Sequence, residues 1–168
     1  MEKITFQGNA LTLAGKAVKV GDVAADFSVA DKDLKEVKLA DFKGKIKIFT
    51  TFPSIDTPVC DLQVREFNKR AVGLDKEVIV VGISKDLPFA QSRYCAAHGI
   101  DKVVMLSDYK NSSFADNYGV LIKELNLLAR TIMIVDKNDK LVYRQVVSEI
   151  THAPDYDEAL KKLAEVVK

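Results

Sequence analysis

The chain has 168 residues, 48% of them apolar and 29% charged, and its 25 Lys plus Arg against 24 Asp plus Glu leave a formal charge of +1. That length fits one domain, residues 1–168, with a core that needs no covalent staple, and the charge balance argues against an electrostatic grip on nucleic acid or anionic lipid. No apolar run approaches the roughly 18 residues of a membrane span and the start lacks a signal-peptide pattern, so a soluble, cytoplasmic protein is expected.

Along the chain, Ile4-Thr5-Phe6-Gln7 alternates, turns at Gly8-Asn9 and resumes at Leu11-Thr12-Leu13, predicting an N-terminal β-hairpin over residues 1–15. Residues 20–24 read as a loop. Phe27-Ser28-Val29 and Val37-Lys38-Leu39 read as short strands around the turn Asp31-Lys32-Asp33, and Lys45 to Phe52 as a strong strand. A helix follows from Pro58, with Thr57 as N-cap, Pro in its first position and Val59, Leu62, Val64 and Phe67 as an imperfect apolar face.

Glu77 to Ser84 is a β-branched run with the pattern of a central strand buried on both faces. A helix from about Phe89 to Ala97 is closed by His98-Gly99, with Gly suited to a left-handed C-cap. Asp101 to Leu106 is a strand, Ser112 to Tyr118 a short helix ended by Gly119, and Ala129 to Asp136 a further buried strand. The turn Lys137-Asn138-Asp139-Lys140 joins it to a strand over Leu141 to Val147 as an antiparallel hairpin. A last helix starts near Asp155, with Leu160, Leu163, Ala164 and Val167 on one face. This order predicts an α/β, thioredoxin-like mixed sheet flanked by helices, with the N-terminal hairpin as an extension and no domain boundary after it.

The two cysteines, Cys60 and Cys95, do not make a disulfide framework; in a reducing compartment such a pair is catalytic, redox-active, metal-binding or simply packed in the core. Cys60 falls in the first turn of a helix, where unpaired amides and the positive end of the helix dipole favour an anion, so its thiol should ionise more readily than a free one. A thiolate there is a nucleophile, and a first-turn thiol is expected to face a substrate pocket. The dipole alone supplies only about 0.3–1 kcal/mol, so a cation is also needed. Arg130 is the choice, because it begins a strand expected to run antiparallel to the one ending at Phe52, at the same sheet edge. Arg65, Lys69, Arg70 and Arg93 are weaker candidates. Cys95-x-x-His98 with distant Cys60 and His152 lacks the paired spacings of a structural zinc site, and His98 is better placed as a cation at a helix C-terminus.

The segment Pro53-x-x-x-Thr57-x-x-Cys60 between a strand and a helix resembles the active-site motif of the peroxiredoxins. Phe52 to Phe67, the stretch Asp86-Leu87-Pro88-Phe89-Ala90-Gln91-Ser92-Arg93-Tyr94-Cys95 and the N-terminal hairpin together resemble the family's thiol peroxidase branch over essentially the whole chain. The resemblance implies a thiol-dependent peroxidase acting on hydroperoxides. Cys60 would be the nucleophile, Arg130 the contact to its sulfur and Cys95 the resolving thiol of an intramolecular disulfide. It further implies thioredoxin as reductant, a homodimer, and no metal, haem, flavin or other cofactor.

The chemistry fits those residues. Cleaving an O–O bond by thiolate attack needs an ionised sulfur, donors holding both oxygens in line, and exclusion of water. Thr57 would donate its hydroxyl proton while its oxygen caps a first-turn N–H, and Pro53, with no N–H, would wall off the sulfur. The bland readings are an N-cap for Thr57, a strand-ending loop residue for Pro53 and a strand-edge charge for Arg130. A Cys60–Cys95 bridge requires Cα atoms about 4.4–6.8 Å apart, so the start of the Cys60 helix is expected to unwind in turnover. A thiol–disulfide oxidoreductase is the runner-up enzyme, lacking the expected Cys-x-x-Cys. A peroxide-sensing redox switch is the alternative of another class.

Overall fold

The longest β-branched runs of the chain become the middle of a seven-stranded sheet. In the computed structural model, which describes residues 2–16 and 18–167, the first strands are β1 (Ile4–Phe6), β2 (Asn9–Leu11), β3 (Leu13–Ala14), β4 (Val29–Ala30), β5 (Glu36–Val37) and β6 (Ile46–Thr51). Helix α1 (Pro58–Ala71), β7 (Val78–Ser84), α2 (Pro88–His98), β8 (Val103–Ser107) and α3 (Ser113–Tyr118) follow. The chain continues through β9 (Leu121–Ile122), β10 (Leu127–Leu128), β11 (Thr131–Val135), β12 (Leu141–Val146) and α4 (Tyr156–Val167). Met1 and Lys168, the ends of the expected domain, lie outside the described residues.

The sheet order is β12-β11-β6-β7-β8-β4-β5, with β6, β7 and β8 parallel and β11 antiparallel to both β6 and β12. The register pairs Thr131 with Thr51, so the start of β11 lies beside the end of β6, as the sequence predicts. Both ends of this pair therefore deliver their next residues, Arg130 and Phe52, to one edge.

Strand periodicity assigns the two faces. Ile46 and Ile48 of β6, and Phe52 just after it, enter an apolar layer with Val64 and Phe67 of α1, Tyr94 of α2 and Ala159 and Leu163 of α4. Phe49 faces the other way, edge-on to Phe27 at 5.6 Å and Phe114 at 5.5 Å, in a cluster completed by Tyr118 stacked on Phe114 at 4.2 Å. Gly82 of β7 permits close strand packing, since a Cβ there would meet Met105 Sδ at 2.8 Å. Gly99 closes α2 with φ 63°, the left-handed cap that the sequence indicated.

Three expectations need correction. Leu62 is 60% exposed, and the inward stripe of α1 is Cys60, Gln63, Val64 and Phe67. On α4 the inward positions are Tyr156, Ala159, Leu160, Leu163 and Val166, which recur every three or four residues, while Ala164 and Val167 face out. Leu13 does not extend the hairpin; with Ala14 it pairs β9, and β9 pairs β10, in a small sheet absent from the sequence reading. Two-residue strands carry too little periodicity to be recognised.

Candidate active site

Between the end of β6 and the start of α1 the chain makes a tight turn in which both the amide and the hydroxyl of Thr57 donate to the Ser54 carbonyl, at 3.2 and 3.1 Å. This corrects the expected capping role: Thr57 has the extended backbone of an N-cap, φ −102° and ψ 147°, but its side chain turns back to Ser54 and bonds no first-turn amide. Pro58 occupies the first helical position, where a missing N–H costs nothing. The amides of Val59 and Cys60 have no acceptor among the described residues, and so remain available to an anion.

The loop is clamped from the neighbouring strand end. Asp86, just after β7, accepts from Ser54 Oγ at 2.9 Å, from the Ile55 amide at 2.9 Å and from Ser84 Oγ at 2.6 Å. One carboxylate thereby fixes residues 54–55 relative to β7, and hence the entry into α1. The sequence reading treated Asp86 only as part of a family stretch.

Cys60 is fully buried, with 0% exposure, in the apolar layer beneath α1. One turn later Gln63, also fully buried, donates to Thr50 Oγ1 at 2.5 Å and the Thr51 carbonyl at 3.0 Å while its Oε1 accepts from Arg130 Nη1 at 2.9 Å. Arg130 is 2% exposed; its Nε and Nη2 both donate to the Ile150 carbonyl, at 2.9 and 2.7 Å. Arg130 thus reaches the Cys60 helix through Gln63, held from both sides by neutral acceptors and paired with no carboxylate among the described residues. A buried guanidinium with no counter-ion is costly unless an anion shares the site.

Tyr156, at the start of α4, packs edge-on to Phe67 at 5.5 Å and under the Arg70 guanidinium at 5.4 Å. Its phenol is pushed up to about 12 by burial and then by Glu66, against the opposing charges of Arg130 and Arg70.

A pocket of about 360 Å³ opens at this place, lined by Pro53, Thr57, Pro58 and Val59 on one side and by Arg130, Ile150, Thr151 and Phe6 on the other. Three of the predicted site residues, Pro53, Thr57 and Arg130, therefore meet around one cavity. Cys60 does not line it and is fully buried, which corrects the expectation of a thiol facing the pocket.

The far wall depends on the N-terminal hairpin. Glu149 accepts from Thr5 Oγ1 and the Gly8 amide, both at 2.9 Å, and from the amide and hydroxyl of Thr151 at 3.0 and 2.7 Å. The Gly8 and Thr151 amides, then the hydroxyls, hold its carboxyl well below the usual carboxylate range. The same segment presents the Ile150 carbonyl to Arg130, so the hairpin, pocket wall and guanidinium form one connected support.

Cys95 sits elsewhere. It is partly buried on α2 and lines a separate pocket of about 510 Å³ with Pro88, Val103 and Met105, and burial pushes its thiol up. Both cysteines are free thiols packed on the same apolar layer. Two of the four weaker cation candidates are engaged with carboxylates, Arg65 with Asp61 at 2.7 Å and Arg70 with Glu66 and Asp157 at 2.6 and 2.8 Å, and Lys69 and Arg93 are exposed. His98 lies in the last turn of α2, but its Nδ1 faces Arg65 Nη2 at 2.8 Å. A guanidinium only donates, so that nitrogen accepts in this contact.

Comparison with known proteins gives this geometry its family. Residues 19–160 match the redoxin family. The chain belongs to that family. Among redoxins it resembles the thiol peroxidases: it is 51% identical to "Thiol peroxidase" of Bacillus subtilis (strain 168) over 168 residues, all of both chains. It is also 51% identical to the "Thiol peroxidase" of Staphylococcus aureus (strain MRSA252) over 160 residues, 95% of this chain and 96% of the other. A solved peroxiredoxin-like protein from Aquifex aeolicus superposes with a TM-score of 0.93 at 40% identity, covering 99% of this chain and 98% of that one. The thioredoxin-like mixed sheet and the thiol peroxidase resemblance read from the sequence are both borne out.

Proposed function

We propose that this redoxin is a thiol-dependent peroxidase in which Cys60 is the nucleophile. The observation that carries the reading is the convergence of Pro53, Thr57 and Arg130 on one pocket at the amide-rich start of the Cys60 helix, in a chain 51% identical to a thiol peroxidase over its whole length. The Cys60 thiolate attacks one oxygen of a hydroperoxide. The O–O bond breaks, the other oxygen leaves as water or alcohol after taking a proton, and sulfur is oxidised to a sulfenic acid. Arg130, free of any carboxylate, stabilises the charge that moves from sulfur to oxygen, with the unpaired Val59 and Cys60 amides beside it. Because Cys60 is covered, access requires the side chains over it to part while the first turn of α1 stays helical.

Cys95 then displaces hydroxide from the sulfenic sulfur; the oxygen leaves as water and a Cys60–Cys95 disulfide forms. Thioredoxin reduces it in this reading, and the protein works as a cytoplasmic homodimer without a cofactor. The test follows peroxide consumption with thioredoxin and its reductase in the native chain, Cys60→Ser and Cys95→Ser. The first variant should consume none, and the second should undergo one oxidation and then stall. Undiminished turnover in Cys60→Ser would refute the assignment.

A further inference from the structure

The residue after Cys60 and the residue before Cys95 are bonded to each other. The Tyr94 hydroxyl donates to the Asp61 carbonyl at 3.2 Å and to Asp61 Oδ1. Arg65 Nε donates to the same Oδ1 at 2.7 Å, and Arg65 Nη2 reaches His98 Nδ1 at 2.8 Å. The His98 ring packs on Tyr94 with centroids 4.5 Å apart. The four side chains join α1 to α2, and none of them lines the pocket.

These residues take no part in the peroxide chemistry described above, yet they hold the backbone that has to move. Tyr94 is 9% exposed and faces α1, while its neighbour Cys95 turns toward Val103 and Met105 of β8. Cys60 is buried under α1, so the two sulfurs present themselves to different neighbours. Bringing them to disulfide geometry displaces the Cys60 peptide, and Asp61, one residue on, cannot stay in its bonds with Tyr94 while that happens.

We propose that Tyr94 and Asp61 are positioning residues, a clasp that holds the first turn of α1 helical in the reduced protein and sets how fast the Cys60 sulfenic acid meets Cys95. The clasp rests on the disulfide reading above and deepens it. Intact, it favours the helical form that presents Arg130 and the first-turn amides to peroxide. Released, it frees the chain for the resolving step, in which the Cys60 S–O bond breaks, the S–S bond forms and the oxygen departs as water. A slow clasp prolongs the sulfenic acid and exposes it to a second peroxide.

The experiment uses the full-length reduced chain with Tyr94→Phe and Asp61→Ala. After one equivalent of hydrogen peroxide, sulfenic acid is trapped with dimedone at timed intervals and the Cys60–Cys95 disulfide is counted by intact mass. Both variants should shorten the sulfenic acid's lifetime by about tenfold, the factor that one hydrogen bond worth roughly 1.4 kcal/mol represents. Amide exchange of residues 61–63 in the reduced form should rise by a similar factor while α4 is unchanged, a pattern that general destabilisation would not give. Unchanged or longer lifetimes in both variants, with the disulfide still forming, would overturn the clasp alone. No Cys60–Cys95 disulfide in the native chain would overturn the reading beneath it, and the clasp with it.

Discussion

The two cysteines sit on consecutive helices that pack on the same layer, yet at opposite ends of them. Cys60 occupies the amide-rich first turn of α1, within a scaffold drawn from Asp86, Gln63, Arg130 and, through Glu149, the N-terminal hairpin. Cys95 occupies the last turns of α2, where its own carbonyl accepts from the cap amide of Gly99 and from Ile100 at the negative end of the helix. One location surrounds a fully buried sulfur with a fixed scaffold; the other leaves a thiol partly reachable, with burial pushing its titration up. In the reading proposed above, the difference separates the thiol that attacks from the thiol that resolves.

The sharpest way to break this comparison is to remove the cation. Arg130→Met should slow oxidation of Cys60 by peroxide on the order of 10²–10³-fold, the cost of one lost oxyanion-type donor, measured by stopped-flow under single turnover. Gln63→Leu, which frees the guanidinium from α1, should slow it by about tenfold and lower stability by roughly 1–3 kcal/mol through the donors and acceptors left unpaired. The double variant should be far from additive, because both substitutions remove the same bond. Independent, additive effects would mean that Gln63 does not act through Arg130.

Cys95 can be examined by itself in Cys60→Ser. Burial raises the Cys95 titration above the free value of 9.0, so its alkylation by iodoacetamide at pH 8 should be several-fold slower than that of a free thiol. Unfolding in denaturant should abolish the difference.

The smallest effect concerns the hairpin. Glu149 titrates below a free glutamate's 4.5 when folded, so its bonds contribute stability that is present above 4.5 and lost as pH falls through the folded value. Amide exchange of Gly8 and Thr151, corrected for intrinsic rate, should therefore accelerate as pH drops below about 4.5. In Glu149→Gln that dependence should vanish.

What the sequence made legible follows the same division. The β6–α1 junction was readable because Pro53, Thr57, Pro58 and Cys60 each impose a local constraint, and the place of Arg130 followed from strand order alone. Gln63 was missed because a glutamine in a helix reads as surface; its one signal is that it falls in the stripe with Cys60, Val64 and Phe67. Asp86 and Glu149 were missed because they bond across 31 to 144 residues of sequence, and a loop carboxylate carries no mark of its distant donors. The Thr57 hydroxyl was misassigned because N-cap propensity does not reveal the competing Ser54 carbonyl.

The central claim is that Cys60 alone meets peroxide and Cys95 alone resolves it. Peptide mapping of the reduced chain after one equivalent of hydrogen peroxide, with dimedone present from the start, tests this most directly. The account predicts the dimedone adduct on Cys60 and, when dimedone is omitted, a Cys60–Cys95 linkage within one chain. An adduct on Cys95 with Cys60 still reduced would contradict it.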